Sequence, residues 1–98
     1  MLIKTHKNQQ GEIILAVCDK EILGKLFSEG DKQLDVSEDF YNGDDVDEDE
    51  AGDLMRNAHI VNIVGDKAIR LAIKEELIDS ENIKKIAGIP YAQVNLDL

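Results

Sequence analysis

One stretch limits what this chain can fold into more than any other: Ile13-Ile14-Leu15-Ala16, continued by Val17-Cys18. It offers water no polar residue on either side. As a strand it must therefore be covered on both faces, the position of a central strand. Met1-Leu2-Ile3-Lys4-Thr5-His6-Lys7 is a second β-rich run, and Asn8-Gln9-Gln10-Gly11 lies between the two. Polar turn residues ending in glycine between two such runs predict a β-hairpin. A covered strand needs layers, and 43% hydrophobic residues in 98 are enough to build them in one domain spanning residues 1–98. Aromatics are only 4%, so the core must be aliphatic.

The remaining segments supply the layers. Asp19 is placed to cap a helical turn over Lys20–Leu23, with Gly24 and Gly30 as punctuation. Leu34 and Val36 alternate with polar neighbours, as in a half-buried strand. Asn42-Gly43 signals a turn, and Phe40 and Tyr41 before it are suited to cover a core edge. Asp47 and Glu50 match a capping box, Val46 and Ala51 a hydrophobic staple, and Ala51, Leu54, Met55 and Ala58 one helical stripe. His59–Val64 reads as a strand interrupted by Asn62, and Gly65 ends it. A second helix is predicted after it, capped by Asp66, with Ile69, Ala72, Ile73 and Leu77 on its buried face. Asp79 or Ser80 is placed to cap a third, short helix over Glu81–Ile86 that stops at Gly88. Ala92, Val94 and Leu96 mark a closing strand over 92–98. The sum is an α+β fold: a mixed sheet that begins with the N-terminal hairpin, packed against two main helices and one short helix.

Charge narrows the function. The chain has 21 acidic and 11 basic residues, a net charge of -10. Such a surface repels a phosphate backbone, which argues against direct nucleic-acid binding and suits a basic protein surface as partner. No apolar run reaches the ~18 residues of a membrane span, the N-terminus lacks a signal-peptide pattern, and the single cysteine, Cys18, has no partner for an intramolecular disulfide. These features point to a reducing, cytoplasmic setting.

Chemical motifs are sparse. The acidic run from Asp44 to Glu50 fails as an EF-hand, because the register from Asp45 puts Glu50 where glycine belongs and Arg56 where the bidentate glutamate belongs. Gly24-Lys25 lacks the rest of a P-loop. The strand, glycine and helix start around Gly65 have the form of an anion site, but Asp66 puts a negative charge where the anion would go. His6, His59 and Cys18 fall short of the four ligands of a structural zinc site. Cys18 reads as a small buried residue. No metal, cofactor or catalytic residue is assigned. Asn62 either points to solvent or locks the loop that holds Pro90 and Gln93, because a buried amide without a partner costs about 1–3 kcal/mol.

Several segments together carry a family resemblance: Ala16–Lys25, Phe27-Ser28-Glu29-Gly30, Asp39-Phe40-Tyr41-Asn42-Gly43, Asn62-Ile63-Val64-Gly65 and Gly88-Ile89-Pro90-Tyr91-Ala92-Gln93. In this order they resemble domain-of-unknown-function family 424, a group of small archaeal proteins, over essentially the whole chain. The resemblance implies a cytosolic archaeal protein and no agreed activity. It also implies histidine as a common residue where this chain has Tyr91, and tyrosine does not replace imidazole as a ligand or base near neutral pH.

Two functions follow as expectations. The favoured one is a non-enzymatic interaction module, associated with translation or RNA processing, that docks a basic partner through Asp44, Asp45, Asp47, Glu48 and Asp49. The alternative is a ligand-binding domain or small enzyme with a cleft around Asn62, Gly65, Pro90, Tyr91 and Gln93. The alternative requires Asn62 and Gln93 on the same face of the sheet.

Overall fold

The computed structural model describes residues 1–96. The predicted hairpin is present: β1 (Leu2–Lys7) runs antiparallel to β2 (Ile13–Cys18), with Leu2 opposite Cys18 and Lys7 opposite Ile13. Asn8 holds the connection, its Oδ1 accepting from the amides of Gln10 and Glu12 at 3.0 and 2.9 Å. A single 3-10 turn over Lys20–Ile22 leads to a small separate hairpin, β3 (Leu26–Glu29) and β4 (Lys32–Asp35). Then come α1 (Glu38–Tyr41), the two-residue β5 (Asp44–Asp45), α2 (Glu48–Arg56), β6 (Ile60–Val64) and α3 (Asp66–Lys74). A second 3-10 turn, Ser80–Asn82, precedes β7 (Lys84–Ile86) and β8 (Ile89–Asn95). The main sheet has the order β5-β1-β2-β6-β8-β7. Among the described residues its only parallel pair is the central one, β2 with β6.

The sheet has two unlike coverings. On one face Leu15, Val17, Val61 and Ile63 pack with Met55 of α2 and Ala58 just beyond it, and with Ala68, Ile69 and Leu71 of α3. On the other, Ala16, Cys18 and Val64 lie beneath Val36 and Tyr41, flanked by Phe27 and Leu34 of the small hairpin. The apolar run of β2 is thus covered on both sides, as its composition requires; Leu15 is 1% exposed and Ala16 fully buried. No helix among the described residues is long and apolar enough to cross a membrane.

Helix α2 begins at its predicted cap: the Asp47 carboxylate accepts from the Glu50 amide at 2.9 Å, one half of the capping box. Ala51, Met55 and Ala58 are fully buried and Leu54 partly so. Three expectations are corrected. Asp66 does not cap α3. The capping position is Gly65, and the carboxylate comes from Asp19, far away in sequence, whose Oδ1 accepts from the Ala68 amide at 2.8 Å and Oδ2 from the Lys67 amide at 3.0 Å. Asp19 still heads the turn over Lys20–Ile22, but its side chain makes no cap there. Second, the buried stripe of α3 is Ala68, Ile69, Leu71 and Ala72, while Ile73 is 44% exposed. At about 100° per residue the stripe centres between Ala68 and Ala72, and Ile73 falls beyond Ile69, past the flank. Third, the segment predicted as a short helix over Glu81–Ile86 is a 3-10 turn followed by β7. Gly88 is not a helix stop. With Ala87 it forms a two-residue hairpin loop, both at positive φ (52° and 79°), between Ile86 and Ile89. That is the left-handed pair a tight hairpin prefers. Strand β8 starts at Ile89, ahead of the expected Ala92, and the last two residues of the predicted closing strand lie outside the described residues.

Cys18 is fully buried, and burial pushes its thiol from an ordinary 9.0 up to about 11, with the neighbouring Asp19 charge adding to the rise. The unfolded chain therefore releases this proton earlier than the folded one as pH rises. The stability this linkage carries is intact below about pH 9 and is lost on the way to about 11. Urea melts across that window are expected to show falling stability, less steeply in Cys18→Ala. An unchanged slope in that variant would rule the thiol out as a cause.

Candidate functional site

The cleft opens where the small hairpin stops covering the sheet. Asn62 and Gln93 are direct partners across the β6–β8 pair, and Val64 faces Tyr91 two residues on. Residues directly opposite share a face, and alternate residues along a strand share it too. Asn62, Tyr91 and Gln93 therefore project to the same side as Ala16, which pairs with Asn62 in the β2–β6 register. They line a cavity of about 330 Å³ together with Tyr41, Asn82 and Lys84. Leu34 of the small hairpin forms its apolar wall.

The structure splits the sequence-predicted ligand group. Asn62, Tyr91 and Gln93 come together. Pro90 does not join them: it lines a separate concavity on the helix side of the sheet with Arg70, Ile83 and Lys85. Gly65 is buried under the start of α3, and its amide donates to the Pro90 carbonyl at 2.9 Å. The alternation of β7 has a similar effect on its two lysines. Lys84 faces the cleft and Lys85 the opposite concavity.

Three polar residues of the cleft, Tyr41, Asn82 and Lys84, were not found from sequence. Asn82 and Lys84 were hidden by the helix expected over Glu81–Ile86; the adjacent Ala87-Gly88 loop was the missed hairpin signal. Tyr41 was assigned only to cover a core edge. It is held by α1, a single turn whose start is fixed by Ser37, with Oγ accepting from the Phe40 amide at 3.3 Å. The Phe40 ring meets Tyr41 edge-on at 5.0 Å and stacks on His6 at 4.6 Å, and the His6 Nε2–H donates to the Phe40 carbonyl at 2.9 Å. This braces Tyr41 against β1.

The polar groups of the cleft are largely uncommitted. Among the described residues the side chains of Asn62, Tyr91 and Gln93 have no hydrogen-bond partner, and Lys84 has no ion-pair partner. Tyr41 is only 9% exposed, and its hydroxyl is unpartnered in the same set. No fully buried side-chain oxygen or nitrogen among the described residues lacks a partner, so this hydroxyl must reach solvent, and the cleft is the cavity Tyr41 lines. Burial raises its pKa from 10.0 to about 12, which keeps it a neutral donor and acceptor at physiological pH. None of the described lining residues is a carboxylate, although the chain has 21.

The acidic run has a different fate. Asp44 and Asp45 form the edge strand β5 against Ile3 and Leu2. Asp45 takes ion pairs from the N-terminal ammonium at 3.0 Å and Lys20 at 3.1 Å, and these partners lower its pKa, the N-terminus first. Asp47 is the cap of α2. Asp44, Glu48 and Asp49 are exposed and have no ion pair among the described residues. His59 is also in structural use, its Nδ1 accepting from the Ile13 amide at 2.8 Å. No cluster of three or more His, Cys, Asp or Glu among the described residues is placed to hold a metal ion.

Fold and cleft together describe a small α+β domain with one polar, carboxylate-free recess on a half-covered sheet. The chain belongs to the family described as protein of unknown function (DUF424), which matches over residues 6–96. Its fold is similar to that of an uncharacterized conserved protein from Methanopyrus kandleri, known from a crystal structure: TM-score 0.81, 24% identity, covering 99% of this chain and 94% of the other. No curated protein matches the sequence.

Proposed function

We propose that this protein is a binding domain for a small polar molecule, held in the cleft between β6, β8 and α1. The observation that carries this reading is the set of uncommitted hydrogen-bonding groups around one cavity: the cross-strand amides of Asn62 and Gln93 and the unpartnered hydroxyl of the nearly buried Tyr41. Structures normally satisfy such groups internally or expose them fully. Tyr41 is nearly buried and Asn62 half-buried, while Gln93 stands exposed at the rim. Sheltered groups kept free are those a ligand completes, and a cavity of about 330 Å³ is at the small end of ligand sites. None of the described lining residues forms a nucleophile with its base, so binding, without catalysis, is the reading.

A screen of polar metabolites by protein-observed NMR, on protein labelled with nitrogen-15, tests it. A hit is expected to shift the Asn62 and Gln93 side-chain amide signals and to lose at least ~10-fold in affinity in Asn62→Leu, the scale of a lost buried hydrogen-bond pair. Hits that bind elsewhere, or affinity untouched by Asn62→Leu and Gln93→Leu, would remove the cleft as the site.

The acidic edge supports a second reading, docking of a basic protein surface such as those of the translation or RNA-processing machinery. Its support is the exposed charges on Asp44 of the edge strand β5 and on Glu48 and Asp49 in the first turn of α2, none ion-paired among the described residues. Affinity capture at low and high salt, with and without nuclease, is expected to retain basic proteins only at low salt and regardless of nuclease. Capture lost with nuclease would mean attachment through nucleic acid and would count against it.

A further inference from the structure

The cleft has a charge opposite to that of the protein around it, and this selects among polar ligands. We infer that it takes a nucleoside monophosphate, with the heterocycle read by Asn62 and Gln93 and the phosphate held by Lys84; this rests on the binding role proposed above. Three features lead to it. The recess has a single ionic group, the Lys84 ammonium, and no carboxylate among its described lining residues, in a chain of net charge -10. Lys84 is exposed at the rim of an otherwise neutral pocket, and a cation so placed favours a ligand with one anionic end. The second feature is the amide pair. Each amide presents one carbonyl acceptor and one NH₂ donor, and opposite positions on an antiparallel pair bring the two Cβ atoms to about 5 Å, so both amides can reach one ligand. Side-by-side donors and acceptors of this kind complement the edge of a purine or pyrimidine, as Asn and Gln do when they bind a base through two hydrogen bonds. The third is Tyr91, two residues from Gln93 on the same face, whose ring has no aromatic partner among the described residues and lines the cavity. A tyrosine face beside hydrogen-bonding amides is a stacking platform for a flat heterocycle. The Tyr41 hydroxyl is left for the sugar.

The test uses the whole protein, labelled with nitrogen-15, titrated with the four ribonucleoside 5′-monophosphates, the four nucleosides and ribose 5-phosphate. At least one monophosphate is expected to shift the Asn62 and Gln93 side-chain signals and to bind about 10-fold tighter than its nucleoside, the scale of one charge-assisted hydrogen bond. Lys84→Met should erase that difference. Lys85→Met, on the other side of the same strand, should leave it intact. A nucleoside that binds as tightly as its monophosphate overturns the role of Lys84 and leaves the cleft a ligand site. Ribose 5-phosphate binding as tightly as the nucleotides overturns the heterocycle. If none of these probes shifts the cleft signals, the nucleotide is overturned, while the metabolite screen decides separately whether the cleft binds anything.

Discussion

Replacing Gly65 by alanine is expected to destabilise the domain by about 3 kcal/mol or more, enough to leave a domain of ordinary stability only marginally folded. Two costs combine. Gly65 has φ 109° and ψ 156°, a backbone region that is essentially closed to residues with a side chain. Its missing Cβ also makes room for Asp19: an added methyl would fall onto the Asp19 carboxyl carbon, 2.6 Å from Oδ2 and 2.8 Å from the Asp19 Cβ. Asp19 cannot step back, because it is tied to α3 through both carboxylate oxygens. Urea unfolding of Gly65→Ala measures the loss. A midpoint within about 1 kcal/mol of the parent would show that the backbone relaxes and that this fit is not a constraint.

Asp19→Ala is the second large effect, expected at about 3 kcal/mol. It removes a cap reached across the fold and leaves the Lys67 and Ala68 amides without their acceptor, in a place where Asp19 itself is 7% exposed. Asp19→Asn keeps one acceptor oxygen and should recover part of the loss. Equal losses in the two variants would mean that the negative charge at the helix start, more than the geometry, is what matters. The two sites touch, so they should not be additive. Gly65→Ala should cost less in an Asp19→Ala background, because its clash partner is gone. Fully additive losses would contradict the contact.

This same pair shows where sequence reasoning reaches its limit. A glycine between a strand and a helix is visible, and so is a nearby aspartate. Asp66 is nearer than Asp19, however, and local pattern assigns the cap to the nearer residue. Only the parallel pairing of β2 with β6, which puts Cys18 opposite Val64, brings Asp19 to the start of α3. Features that depend on a few consecutive residues were legible: the first hairpin, the Asp47 cap and the stripe of α2, and the doubly covered β2. The Ile83–Ile86 stretch was not. Two lysines between isoleucines followed by a glycine suit a helix end as well as a strand and turn, and the choice is made by the pairing of β7 with β8. In the cleft, Asn62, Tyr91 and Gln93 were legible because an amide in an apolar strand needs an explanation and the closing strand alternates. Tyr41 was not, because nothing local reveals that a four-residue helix will lay its ring across another part of the chain.

The central parallel pair also affects how the protein is assembled. Every other pairing in the main sheet is antiparallel, and two of these, β1 with β2 and β7 with β8, join strands that are neighbours along the chain. Those ribbons can zip locally within microseconds. The seam between β2 and β6 cannot, because it must close a loop that contains the small hairpin, α1, β5 and α2 before it gains a single ladder bond. In the sheet that seam is the one line joining β5-β1-β2 to β6-β8-β7. The recess, which takes Tyr41 from inside that loop and Gln93 from the last strand, does not exist until the seam has closed.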